Sequence, residues 1–207
     1  MLHDISLKGL TEKYNMDVKG VIHIGAHRGR NIIEYIDIGV QDIVVFEPLL
    51  DNFNILEQNL SKLNANIIGH QVALGSEEKK VTMYLSSNDT QSSSILKPKV
   101  HLTHHPDVSF DGREEVEVKL LDSYNIENCN FIVIDVQGYE LEVFKGGKET
   151  LKKIDYIYTE INRDELYENC VQLDELDNFL GEYGFKRVWT YWPESWYQWG
   201  DAIYVKN

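Results

Sequence analysis

The sequence predicts an α/β fold, a mainly parallel sheet with helices packed on both faces, and three observations predict it. Short β-rich apolar runs alternate with segments of helical period along the chain. The first of these runs feeds a glycine-containing turn, in "VKGVIHIGAHRGRN" at 18–31, which then opens a helix. The next run ends on an acidic residue, Glu47, about 20 residues further on, the spacing of a nucleotide-type ligand site.

Strands are predicted at 20–24, 42–46, 66–71, 131–135, 155–160, 185–191 and 201–205. Leu49, Phe53, Leu56, Leu60 and Leu63 place one apolar stripe on a helix over 49–63. Leu173, Leu176, Phe179 and Leu180 do the same over 173–183, with Gly184 as the stop. "KVTMYLS" at 80–86 and "EEVEVKLL" at 114–121 read as extra strands. Between them lies a polar, loop-like stretch of some 27 residues, a length that in a compact domain marks either a functional lid or disorder, and the stretch at about 86–113 is expected to be a lid-like insertion in a single domain over 1–207.

Lys and Arg number 20 against 34 Asp and Glu, a formal charge of −14, which would repel a phosphate backbone; no nucleic-acid partner is expected. No apolar run reaches the about 18 residues needed to span a bilayer, and Cys129 and Cys170 are too few for a disulfide framework. A cytoplasmic protein with two packed thiols is the expectation.

A dinucleotide site needs G-x-G-x-x-G, but counted from Gly25 the second and third glycine positions hold His27 and Arg30. A phosphate-binding P-loop would need Gly-Lys-Ser/Thr, which "GAHRGRN" lacks. What remains is a turn with Gly25 and Gly29 and a carboxylate, Glu47, suited to accept from both hydroxyls of a ribose. That combination describes a nucleoside cofactor without a pyrophosphate.

The chain resembles the FkbM family of methyltransferases. "VIHIGAHRG" at 21–29 is similar to the family's first cofactor segment, "VFEP" at 45–48 to its ribose segment and "QVALGS" at 71–76 to the segment after the third strand. "FIVIDVQGYELEVFKGG" at 131–147 resembles its most distinctive block, and "YTEINRDELYE", "LGEYGF" and "WGDAIYV" follow in the family's order. The resemblance implies a Rossmann-like class I methyltransferase fold, with a mostly parallel seven-stranded sheet and an antiparallel last strand. It also implies S-adenosyl-L-methionine as cofactor. His23, Gly25, Ala26, His27 and Gly29 would line its site, with Glu47 and Pro48, Val72 and Ala73, and Asp135, Val136 and Gln137. His23 stands where such enzymes often carry Asp or Glu, and its other reading is a buried neutral histidine.

Methyl transfer to an alcohol requires the acceptor to be positioned and its proton removed. Asp135 ends an apolar strand, where a charge is costly unless it is used; it reads as cofactor ammonium ligand, base or metal ligand, against a plain helix N-cap. Glu140 falls in a first helical turn, where the helix dipole alone would favour an acid. Glu160 and Asn162 end the neighbouring strand, and with Asp135 they supply an oxygen set that magnesium could use. Gln137, where many relatives carry Glu, can hydrogen-bond an acceptor but cannot act as base.

In "HLTHHP", His104 or His105 is a second candidate for the base, while the grouping with His101 is a poor zinc signature. Ser93 or Ser94 of "QSSSI" would lie over the cofactor or in solvent. Trp189 and Tyr191 read as strand packing, and Trp192, Trp196 and Tyr197 as a platform for a sugar face. Gln137, Tyr139, Asn162, Trp192 and Trp196 are thus the acceptor-binding candidates.

The expected function is methylation of a sugar hydroxyl in a glycan, nucleotide-sugar or glycosylated natural product, by a free-standing enzyme or as part of a larger glycan-synthesis polypeptide. A non-sugar hydroxyl as acceptor and a catalytically silent glycan-binding module are the alternatives.

Overall fold

In the computed structural model, which describes residues 6–194 and 197–207, the strongest apolar runs become central strands of one sheet. β1 (Gly20–Ile24) and β7 (Phe131–Ile134) are buried along their whole length. Strands covered on both faces read as unbroken apolar sequence, which is why these two were legible. β2 (Asp42–Phe46) and β3 (Asn66–His70) extend the sheet on one side, and β8 (Tyr156–Asn162), β10 (Trp199–Lys206) and β9 (Phe185–Tyr191) on the other. The order is β3-β2-β1-β7-β8-β10-β9. β1, β2, β3, β7 and β8 run parallel, and β10 inserts antiparallel between β8 and β9. The expected class I methyltransferase architecture, with its antiparallel last strand, is the one observed.

Because side chains alternate along a strand, the sheet divides the core in two. On one face Ile22, Ile24, Ile132 and Ile134 pack with Val143, Phe144, Leu151, Leu176 and Leu180 of α5 (Glu140–Lys145), α6 (Lys148–Lys153) and α7 (Leu173–Glu182). On the other, Val21, Ile43, Val45 and Val133 meet Leu7, Leu10, Ile32, Phe53 and Leu56 of α1 (Leu7–Lys13), α2 (Ile32–Asp37) and α3 (Leu50–Leu60). Each such buried side chain contributes about 1.5–3 kcal/mol.

α7 keeps its predicted extent and ends before Gly184, whose φ of +85° turns the chain into β9. α3 stops at Leu60, three residues short of the prediction. The amides of Lys62 and Leu63 donate to the carbonyls of Asn59 and Leu60, closing the end with tight turns before β3.

The two extra strands pair antiparallel, β5 (Lys79–Leu85) with β6 (Gly112–Lys119). β4 (Ala73–Leu74) joins β6 in parallel, completing a three-stranded sheet whose third member the sequence did not signal. The intervening insertion is more structured than the expected loop. Ser94 bridges back to Tyr84, α4 (His101–His104) forms a single turn, and Pro98 bridges to Tyr167. Its second half shares a small core with the segment after β8, made of Phe110, Leu166, Tyr167 and Cys170. Cys129 and Cys170 are both unpaired thiols.

Candidate active site

The glycine turn is shaped by close approach of β1 to its neighbours. The amides of Gly25 and Ala26 both donate to the Phe46 carbonyl at 3.0 Å, and that of Asp135 donates to Ile24. A Cβ on Gly25 would sit 2.0 Å from the Asp135 carbonyl oxygen, and its φ is +81°, so only glycine fits. At Gly29, φ +76°, a Cβ would meet Leu56 at 2.6 Å, so this glycine lets the turn pack on α3.

Glu47 is buried at the tip of β2 and holds the turn in place. One carboxylate oxygen accepts from the His27 amide at 2.9 Å and the other from the Leu49 amide at 3.0 Å. Burial pushes its pKa up to about 7, against the opposing pull of the Leu49 and His27 amides and the Asn52 side chain. Oε2, which takes the His27 amide, keeps a lone pair for a further donor, while the partners of Oε1 also include the Asn52 side-chain amide at 3.5 Å. Beside Glu47 the cleft is apolar, lined by Ile24, Phe46, Leu49, Val72, Met83 and Ile95, and it runs to Asp135, Val136 and Gln137. An apolar cleft with Glu47 and Asp135 in its lining fits a ligand that carries a flat base, a diol and an ammonium, as S-adenosyl-L-methionine does.

Of the predicted cofactor residues, Gly25, His27, Glu47, Pro48, Val72, Ala73, Asp135, Val136 and Gln137 line this cleft. So does Tyr139, predicted for the acceptor. Ala26 and His23 face a second, adjoining cleft of about 400 Å³. His23 lies 3.0 Å from the Tyr35 hydroxyl, and burial drops its pKa to about 3, so it is a neutral packed histidine. Gly29 supports the turn from behind.

The two clefts share Gly25, His27, Gln91, Asp135 and Gln137, so they adjoin at the end of β7. The second cleft is lined with acids and aromatics, among them Tyr158, Glu160, Trp199, Asp201, His101 and His105. Gln137 sits at the junction in a left-handed conformation, φ +56°, with its carbonyl accepting from Ser94 Oγ at 2.8 Å. Its side-chain amide donates to Asp135 at 2.7 Å and to Glu160 at 2.9 Å. Glu160 keeps one buried oxygen, Oε1, without a partner. Burial raises the Glu160 pKa well above the carboxylate range, and the charges of Asp135, Glu140 and Asp201 add to it. Glu140 is tied into the turn after β7 by the Val136 and Gly138 amides, at 3.0 and 3.2 Å.

Ligand oxygens of Asp135, Glu140 and Glu160 lie within 4.8 Å of one another, the only such group among the described residues. The set does not fit magnesium as it stands. The Gln137 amide already bridges Asp135 and Glu160, where a cation would have to sit, and one Glu140 oxygen is committed to backbone amides.

His105 lines the second cleft and His104 does not. Asn162 is fully buried at the end of β8 outside the lining, and Trp192 packs under Arg163, 4.5 Å from its guanidinium. Trp196 lies outside the described residues. Ser93 lines the cofactor cleft. The sequence reading missed Asn52 and Thr90 beside Glu47, and Tyr158, Trp199 and Asp201 in the second cleft. Asp201 left one trace, a lone acid in the apolar strand "WGDAIYV".

Three kinds of comparison bear on this site. A methyltransferase FkbM domain model matches residues 23–187. The 2-O-methyltransferase NoeI of Sinorhizobium fredii is 30% identical over 171 residues, covering 77% of this chain and 70% of its own. The hexuronic acid methyltransferase AglP of Haloferax volcanii is 25% identical over 125 residues, covering 58% of this chain and 47% of its own. Among solved structures, methyltransferase FkbM from Methylobacillus flagellatus superposes with a TM-score of 0.62 at 16% identity, over 91% of this chain and 44% of that one. Magnesium protoporphyrin IX methyltransferase from Synechocystis with bound S-adenosylmethionine superposes at 0.55 and 8% identity, over 96% and 74%, a likeness of fold. The chain therefore spans less than half of AglP and of the FkbM structure.

Proposed function

Since the chain belongs to the FkbM family of methyltransferases, we propose that it moves the methyl group of S-adenosyl-L-methionine to a sugar hydroxyl. The observation that carries this is the meeting of the two clefts at Asp135 and Gln137. The sugar acceptor is supported by the name of AglP and the O-methyl transfer by that of NoeI. When bound, the cofactor supplies an electrophilic methyl on a sulfonium, so no charge on the sulfur has to be stabilised after transfer.

In this reading Glu47 takes the ribose hydroxyls, the apolar slot takes the base, and Asp135 takes the ammonium. Gln137 holds Asp135 and Glu160 at one spacing, so that the unpartnered Glu160 oxygen accepts the acceptor's proton. A carboxylate whose pKa is raised by burial is the stronger base for that step. His105, on the insertion, faces the same cleft and is the second candidate for the base. The two unpaired thiols suit a reducing compartment such as the cytoplasm.

Release of S-adenosylhomocysteine from a sugar acceptor measures the reaction. Asp135→Ala should abolish turnover, and Glu160→Gln should lower kcat by about 10²–10⁴. Near-wild-type rates in either variant would remove that residue from the site.

A further inference from the structure

The second cleft carries information about which sugar it takes. Asp201 of β10 stands directly opposite Glu160 of β8 in the antiparallel ladder, so both carboxyls project to the same face. Like charges at opposed positions are costly, and these two are 5% and 6% exposed. Glu160 Oε1 and Asp201 Oδ2 form no well-made hydrogen bond, and the Tyr158 hydroxyl, beside Asp201, is the donor their own chain offers. Two buried acceptor atoms on residues that line one cavity, with a single tyrosine hydroxyl beside them, leave a demand for donors unmet. Asp135 adds a third carboxylate to the lining. The lining's one arginine, Arg30, stands at an exposed edge and lies 3.8 Å from the Asp89 carboxylate. Tyr158, Trp199 and His105 line the same cleft and supply aromatic surface of the kind that packs on the C–H side of a pyranose.

We propose that the acceptor is an uncharged sugar whose hydroxyls donate to Glu160 and Asp201, and that the same carboxylates exclude sugars bearing a carboxylate. A neutral pyranose satisfies both oxygens. A uronate brings a further carboxylate into a cleft already lined by three carboxyl groups, with no buried cation in the lining to receive it. The inference rests on the sugar methyltransferase reading, narrows it, and sets this chain apart from AglP, whose name gives a hexuronic acid.

The test uses para-nitrophenyl glucoside, galactoside, mannoside and fucoside, with the glucuronide and galacturonide as acidic counterparts. Binding to the S-adenosylhomocysteine-loaded protein is followed by saturation-transfer NMR, and methylation by a one-methyl mass shift. At least one neutral glycoside should bind and be methylated with kcat/KM tenfold or more above its acidic counterpart. Asp201→Asn should narrow that ratio severalfold while weakening neutral binding. Uronates bound or methylated as well as neutral sugars would overturn the proposal. So would a protein that binds S-adenosylmethionine yet binds none of the neutral glycosides. Failure to bind S-adenosylmethionine at all would instead remove the function on which the inference stands.

Discussion

Gly25 and Glu47 are the residues on which the cofactor cleft depends most directly. Gly25→Ala forces a Cβ to 2.0 Å from a carbonyl at a φ of +81°, and should cost about 2 kcal/mol or more, read as a lowered denaturant midpoint. Burial raises the Glu47 pKa from an ordinary 4.5 to about 7, and that of Asp201 from 3.8 to about 7. Both folded values exceed the unfolded ones, so the stability these groups contribute is fully present near pH 4 and is lost as pH rises through about 7. Glu47→Gln should flatten the apoprotein's stability profile over that window; an unchanged slope would contradict the account. A ribose hydroxyl donating to ionised Glu47 favours the deprotonated form. The affinity for S-adenosylmethionine should therefore rise several-fold between pH 6 and 8, and Glu47→Gln should abolish the rise and weaken binding by about tenfold or more. Because the Gln137 amide occupies the space between Asp135 and Glu160, EDTA should leave turnover unchanged. A loss restored by magnesium would contradict that geometry.

At the scale of elements, the insertion is latched over the cofactor turn. The His27 ring donates from Nε2 to the Asp89 carbonyl at 2.9 Å, and Arg28 pairs with the Asp89 carboxylate at 2.7 Å. The Asn52 amide donates to Thr90 Oγ1 at 2.9 Å. Asp89 and Thr90 both sit at positive φ, +60° and +63°, a conformation the latch contacts must hold. Asp89→Ala should loosen the segment: faster amide hydrogen exchange over 86–93 and a several-fold weaker cofactor affinity. Unchanged exchange would show that the latch holds nothing. The strands of the main sheet were legible because apolar runs buried on both faces announce themselves. The latch was not, since it joins residues some 60 positions apart by polar contacts that carry no period. Asp201 was hidden for a related reason. Its meaning comes from standing opposite Glu160, and strand pairing is a property of the folded sheet. His23 was readable as a buried neutral histidine, but its partner, Tyr35, became visible only once α2 had packed on β1.

Across the whole molecule, the described residues contain no helix long and apolar enough to cross a membrane. The seven-stranded sheet brings the tips of β1, β2, β7 and β8 to one edge, which is where Gly25, Glu47, Asp135 and Glu160 gather from 136 residues of chain. That arrangement makes cofactor binding the first consequence of the fold. Calorimetric titration with S-adenosylmethionine, paired with a thermal melt, tests it most directly. One site per chain is expected, with a stabilisation of about 2.7 kcal/mol at a hundredfold excess over Kd, seen as a rise in Tm of several degrees. No binding heat and an unmoved Tm would contradict the account at its root.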